Sequence, residues 1–261
     1  MLVKNHLGLA KQYIVRVSLR VWPRPIIVNL FDDSKVRLDS RSLIEGGSWE
    51  FTGSKPIAHD KELIKFFYQR TLSFDKPVVF DIGSNSGSYS LLPNINPKIK
   101  CYSFEPNPKL YKLLKENIAL NCLYDRVITL PIALYSESKK MKLKIPESKD
   151  NSGLACIGEP IRFKKWREID IVTHTLDSVV EKYDIKRVDL MKIDTEGCEL
   201  FVLKGAEKTI RRDHPEILLE YNEINCKQFS YKPIKIKQLL ARWGYSGTNI
   251  GEEDMYFTYI G

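Results

Sequence analysis

The residues best equipped for chemistry in this chain are a few carboxylates set beside glycine turns. The first group is Asp81-Ile82-Gly83-Ser84-Asn85-Ser86-Gly87, which follows the short apolar run Val78-Val79-Phe80. Two glycines four positions apart let the backbone turn tightly after a buried strand and come close to a ligand. The residues after Gly87 can open a helix whose free N–H groups point at that ligand. The spacing departs from the G-x-G-x-x-G of a dinucleotide fold, which argues against a pyrophosphate ligand. An Asp ahead of the first glycine suits an amino group or a hydroxyl better than a phosphate. A plain glycine turn between strand and helix is the competing reading. The second group is Glu105, 24 positions after Asp81, at the end of the run Lys100 to Phe104. A carboxylate so placed can bind both hydroxyls of a ribose. The third is Val188 to Glu199, a strand-like run ending in Asp194-Thr195-Glu196-Gly197-Cys198-Glu199, and the fourth is Glu220, which closes Pro215 to Glu220.

The elements that must position these groups alternate along the chain. Ile26 to Leu38 reads as a hairpin turning at Asp32-Asp33-Ser34, and Gly46-Gly47 and Gly53 punctuate the link after it. Asp60 caps an expected helix to about Thr71 with Leu63, Ile64 and Phe67 on one face. Pro108 opens a helix carrying Leu110, Leu113, Leu114 and Ile118, with Asn121 as its end. A third strand runs from Val127 to Ile132; Met141, Leu143 and Ile145 mark an inserted hairpin, and Asn151-Ser152-Gly153 a loop. Helices are expected through Val179, Val180 and Tyr183, through Leu200, Val202, Leu203 and Ala206, and from Ile234 to Trp243, with a last strand over Met255 to Ile260. Strands alternating with helices give an α/β, mainly parallel sheet covered on both faces. Ligands bind beyond the carboxyl ends of such strands, near the switch point. Asp81, Glu105, Asp194 and Glu220 each fall at a strand end and are expected to converge on one rim.

Composition bounds the rest. A chain of 261 residues is expected to hold one domain from 56 to 261, with residues 1–55 as an N-terminal appendage. No stretch reaches the ~18 uninterrupted apolar residues of a membrane span. Lys4, Lys11, Arg16, Arg20 and Arg24 interrupt the N-terminus, which argues against a secretory signal. Residues 1–25 fit either a half-exposed strand (Val15, Val17, Leu19, Val21) or a helical stripe (Ala10, Tyr13, Ile14, Val17, Val21). The stripe admits contact with a membrane surface, and a packing appendage is the favoured reading. Five scattered cysteines without a C-x-x-C pair support neither a disulfide framework nor a zinc site and fit a reducing, cytoplasmic setting. The net charge of +8 is spread out, with clusters at Lys139-Lys140 through Lys144 and at Lys164-Lys165-Arg167. We read it as solvated surface charge, and no nucleic-acid partner is expected.

In combination and in order, four motifs resemble those of the FkbM-type methyltransferases. They are Asp81 to Gly87, Phe104-Glu105-Pro106-Asn107-Pro108, Thr175-Leu176-Asp177, and Lys192 to Glu199 with Val202-Leu203-Lys204-Gly205-Ala206. The Pro215 to Glu220 strand matches too, and the likeness covers roughly residues 76–245. The resemblance implies a class I (Rossmann-like) methyltransferase fold, a seven-stranded sheet whose last strand is antiparallel. It also implies S-adenosylmethionine as cofactor and O-methylation of sugars, glycans or polyketide-type products. Carried over by position, Asp81, Gly83, Asn85 and Gly87 would line the cofactor's methionine part, with Ser84 counted among the cofactor-binding residues. Glu105 would hold its ribose, and Pro106 and Asn107 would lie beside the adenosine. Ser84, Ser86 and Cys198 depart from the residues usual there, and residues 1–55 carry little of the match.

Methyl transfer to a hydroxyl needs the acceptor oxygen held near the methyl carbon and its proton removed. Asp194 and Glu196 are the candidates for acceptor binding and general base, and Glu220 completes the catalytic set, since clustered carboxylates raise one another's pKa. These three can instead hold a divalent ion that acidifies the hydroxyl, although no metal ligand is assigned. Glu196 and Glu199 also suit plain capping of the following helix. His174 reads as a strand-end residue, His214 as loop and Cys198 as packing. A non-catalytic S-adenosylmethionine-binding module and an RNA-directed methyltransferase remain as other classes. A dinucleotide oxidoreductase is disfavoured by the loop.

Overall fold

The computed structural model describes residues 25–42, 49–52, 55–58, 60–147 and 149–261. The readings made for the first 24 residues and for Gly46, Gly47 and Gly53 lie outside them. The expected hairpin is present: β1 (Pro25–Asn29) pairs antiparallel with β2 (Lys35–Asp39) around the turn at Asp32, whose φ is +43°. The link after it contributes two further strands, β3 (Trp49–Thr52) and β4 (Lys55–Ala58), and the four form a sheet in the order β2-β1-β4-β3. Helix α1 (Lys61–Thr71) follows, with Asp60 at the N-cap position but making no capping bond through its side chain.

The main sheet begins with β5 (Val78–Ile82) and β6 (Lys100–Phe104). Between them lie tight turns and one 3-10 turn (Leu92–Asn94), not the helix expected after Gly87. Only twelve residues separate Gly87 from Lys100, and Pro93 and Pro97 among them remove N–H donors that a longer helix needs. Helix α2 (Pro108–Leu120) starts on Asn107, whose side chain accepts from the Lys109 N–H. Next come β7 (Val127–Leu130), the short β8 (Ala133–Leu134), β9 (Lys140–Pro146) and β10 (Trp166–His174). The apolar alternation of Met141, Leu143 and Ile145 is half of a ladder whose other half is β10, from Trp166↔Pro146 to Val172↔Lys140. Between these two strands the expected loop at Asn151 to Gly153 lies in a second 3-10 turn (Lys149–Leu154).

Helix α3 (Leu176–Lys182), capped by the Thr175 hydroxyl, leads to β11 (Leu190–Ile193), α4 (Glu199–Lys204) and α5 (Glu207–Asp213). The chain ends through β12 (Glu216–Glu220), α6 (Glu223–Lys227), α7 (Ile234–Arg242), β13 (Tyr245–Asn249) and β14 (Asp254–Tyr259). The seven-stranded sheet has the order β13-β14-β12-β11-β5-β6-β7, with β14 antiparallel to both its neighbours and the inner pairs parallel. Its residues alternate between two cores, as the period of two requires. Phe80, Ile82, Met191, Ile193, Ile217 and Leu219 face the core shared with Val179, Leu203 and Leu240. Val79, Leu190 and Leu218 face the other, where Val28 and Leu38 of the N-terminal sheet pack with Phe67 and Leu114. No helix among the described residues is long and apolar enough to cross a membrane.

Candidate active site

A cleft of about 460 Å³ opens at the carboxyl ends of the parallel strands. Gly83, Asn85, Glu105, Pro106, Asp194, Glu196 and Glu220 line it, together with Asp60, Asp254 and Arg162. The β8–β10 segment adds an apolar wall that includes Leu134, Leu143 and Ile157.

The glycine turn is shaped by contact with its neighbouring strands. The N–H groups of Gly83 and Ser84 both donate to the Phe104 carbonyl at 3.0 Å, tying the β5 exit to the β6 exit. Gly83 has a φ of +78°, and a Cβ there would stand 1.7 Å from the Asp194 carbonyl oxygen. Glycine is required on both counts. Asn85 also takes a left-handed φ of +52°, and its N–H donates to Glu105 Oε2 at 2.8 Å. The Asn107 N–H donates to Glu105 Oε1, also at 2.8 Å. Two backbone donors thus fix the Glu105 carboxylate while each oxygen keeps a further lone pair. Burial pushes Glu105 up to about 7 against the pull of these two donors.

Four of the residues expected at the cofactor stand behind the cleft wall. Asp81 was expected at the rim with Glu105, Asp194 and Glu220, but the pleat that sends Ile82 to the cleft turns Asp81 to the opposite core. There its Oδ2 accepts from Ser90 Oγ at 2.5 Å, and Ser90 meets Ser103 at 2.7 Å. Ser84 donates to the Asp81 carbonyl, Gly87 packs against Leu114, and Asn107 caps α2.

Lys192 opens the fourth motif, but motif reading gave it no role. It lies on β11 directly opposite Asp81, in an otherwise apolar strand. Its ammonium donates to the Gly83 carbonyl at 3.1 Å, sits 3.3 Å from Asp194 Oδ2 and 3.8 Å from Asp81 Oδ1, and lies over the Tyr89 ring. Burial alone would lower its pKa, but the carboxylates of Asp194 and Asp81 outweigh this and hold it above the ordinary lysine value. A lysine inside the run Leu190 to Ile193 was the available signal, because a buried ammonium requires carboxylate partners.

The turn after β11 carries the rest. Glu199 accepts from the Thr195 N–H at 2.8 Å, the Thr195 hydroxyl at 2.9 Å and the Gly197 N–H at 3.2 Å, so it braces the turn from inside. Glu196 has a φ of +53°, and its Oε2 accepts from Asn225 Nδ2 at 2.9 Å and faces Arg162 at 3.3 Å. Burial first, and then the charge of Asp194, push Glu196 up to about 8. Glu220 is raised by burial and by Asp194, Glu199 and Glu196. Asp254, paired with Glu220 in the β12–β14 register, is pushed up to about 7 by burial and Asp194. Among the described residues, no group of three His, Cys, Asp or Glu side chains is arranged to hold a metal ion. His174 ends β10, His214 caps α5 in the left-handed region while stacking on Tyr259, and Cys198 is buried.

This strand order, with a glycine turn after the first parallel strand and a carboxylate after the second, is the class I methyltransferase fold. The chain belongs to the methyltransferase FkbM domain family, whose model matches residues 81–246. Methyltransferase sdnD of Sordaria araneosa is 30% identical over 160 residues, a match taking in 51% of this chain and 61% of the relative. Hexuronic acid methyltransferase AglP of Haloferax volcanii is 30% identical over 161 residues, covering 60% of each. This chain therefore spans about three-fifths of the length of the curated relatives it matches. Among solved structures, methyltransferase FkbM from Methylobacillus flagellatus KT aligns with a TM-score of 0.48 at 13% identity, over 71% of this chain and 44% of that one. Cofactor-bound Rv0187 from MTB aligns at 0.49 and 13%, over 84% and 86%.

Proposed function

We propose that this chain is an S-adenosylmethionine-dependent O-methyltransferase acting on a hydroxyl of a sugar, glycan or polyketide-type natural product. The observation that carries the reading is the meeting of Gly83, Glu105, Asp194, Glu196 and Glu220, spread over 138 positions of sequence, around one cleft. The family membership supports methyl transfer, and the sugar named for the Haloferax relative supports that acceptor class.

The residues present fit the cofactor. Gly83 leaves a backbone cradle with no Cβ, and the Glu105 carboxylate, held by two N–H groups, suits a vicinal diol. The acidic rim of Asp60, Asp194, Glu196, Glu220 and Asp254 suits a cationic sulfonium and amine. Gly83, Asn85, Glu105 and Pro106 would hold the cofactor, which supplies an electrophilic methyl group. Asp194, Glu196 and Glu220 orient the acceptor hydroxyl and take its proton. A carboxylate with a raised pKa is the stronger base. The five free thiols support a reducing, cytoplasmic setting.

Calorimetric titration with S-adenosylhomocysteine, with and without EDTA, tests the reading. Saturable micromolar binding is expected, followed by turnover in a screen of sugar and polyketide hydroxyls. A folded protein that binds none refutes it, and loss of turnover in EDTA alone would reassign the carboxylates to a metal.

A further inference from the structure

Asn225 lies on α6, a single-turn helix outside every motif named above. Asn222 opens that helix by accepting from the N–H groups of Ile224 and Asn225, at 2.8 and 3.1 Å. Asn222 also donates to Glu253 Oε2 at 2.6 Å, which ties α6 to the residue preceding β14. The helix can approach the β11 exit because Gly197 lacks a Cβ, which would stand 2.4 Å from the Asn225 carbonyl oxygen.

The Asn225 side chain has no solvent exposure. Its Nδ2 donates to Glu196 Oε2 at 2.9 Å and to Glu220 Oε2 and Oε1 at 2.9 and 3.0 Å. Gln228 Nε2 stands 3.5 Å from Asn225 Oδ1. A reversed amide would set that oxygen against two carboxylates, so the amide orientation follows from its neighbours. One nitrogen thus draws together carboxylates from two different strand exits. Around them stand Asp194 and Glu199 from the β11 turn, Glu253 and Asp254 from the β14 side, and Arg162 ahead of β10. Among the described residues these carboxylates outnumber Arg162 and Lys192, whose ammonium stands 3.3 Å from Asp194, and two buried carboxylates on one amide nitrogen do not both ionise readily.

We propose that Asn225 is a positioning residue that clamps Glu196 and Glu220 into one pair sharing a proton, and that this pair receives the proton of the acceptor hydroxyl. The inference rests on the methyltransferase reading above. The acceptor's O–H bond breaks, its electron pair stays on oxygen, and the proton passes to the ionised member of the pair. Asn225 touches no substrate and acts through the two glutamates, whose ionised forms its N–H groups favour.

Carboxyl-13C NMR of glutamate-labelled protein reads this without cofactor or acceptor. Glu196→Gln and Glu220→Gln assign the two resonances. In the wild type they should titrate in two coupled steps, and removal of either partner should lower the midpoint of the other. Asn225→Ala, and the uncharged, similarly sized Asn225→Leu, should raise the upper midpoint by about 1–2 pH units, the worth of one hydrogen bond to a charged group. A purely structural asparagine would change the melting temperature and leave the midpoints in place. Independent titration of the glutamates, or midpoints unmoved in both Asn225 variants, overturns the inference. Binding of S-adenosylhomocysteine with independent titration rejects the pair and leaves the methyltransferase reading standing. Coupled titration without binding keeps the pair and rejects the reaction.

Discussion

Replacing Lys192 with Met removes the ammonium between β5 and β11 and keeps most of the apolar stem, since Met is unbranched and fills irregular gaps. The loss isolates Asp81, whose side chain has no exposure. Ser90 Oγ at 2.5 Å still donates to Oδ2, but Oδ1 loses the ammonium 3.8 Å from it. Breaking a buried pair from one side costs about 3–5 kcal/mol. The Lys192–Asp194 contact adds little to this, because the Asp194 side chain is 41% exposed and water screens it. At about 2–4 °C per kcal/mol for a chain of this size, the melting temperature should fall by about 6–20 °C. The pH dependence follows from Asp81, which burial raises and Lys192 opposes. Without Lys192 it rises further. A carboxyl raised in the folded state contributes stability fully below its unfolded pKa and loses it as pH rises through the folded value. The deficit of Lys192→Met is therefore largest at neutral and alkaline pH and shrinks in acid. Thermal unfolding followed by circular dichroism at pH 5 and pH 8 measures it, alongside Asp81→Asn and the double variant. The double variant should recover part of the loss, since neither charge is left stranded. A single-variant loss below about 1 kcal/mol, or losses that simply add in the double variant, would refute the pairing.

Three further outcomes are expected. Gly83→Ala should lower the melting temperature and abolish S-adenosylhomocysteine binding, because its Cβ would meet backbone 1.7 Å away at a φ of +78°; unchanged values of both would contradict the packing at the strand exits. Glu105→Ala should weaken S-adenosylhomocysteine about 10- to 100-fold by calorimetry. In the wild type that affinity should fall from pH 8 to pH 6 as Glu105 protonates near 7, and a flat profile would exclude its ionised form as the ligand group. A thiol reagent at neutral pH should label Cys122 quickly and the buried Cys101, Cys156, Cys198 and Cys226 only on unfolding; two fast thiols would contradict the core.

Sequence alone determined the elements whose evidence is local. The apolar runs ending at Asp81, Phe104, Asp194 and Glu220 are short and bounded by turn residues, so their strands and the parallel order were legible. The glycines at 83 and 87 were legible as turns because no other residue adopts such backbone at little cost. What lay beyond local pattern was decided by packing. Strand β10, Trp166 to His174, carries Arg167, Glu168 and Asp170 in its first half, and its ladder with β9 makes it a strand. Strand β13 has one buried residue and is ordered by β14 beside it. The segment after Gly87 had room for a helix on paper, and its prolines and the short path to β6 excluded one. The same holds at the site. Residue type placed Asp81 at the rim, but the pleat turned it inward to meet Lys192. Asn225 carries no motif, and it reaches Glu196 and Glu220 only because the absence of a side chain at Gly197 lets α6 approach. A carboxylate's presence is written in sequence, whereas which face it takes and which donor it shares depend on strands and turns far apart along the chain.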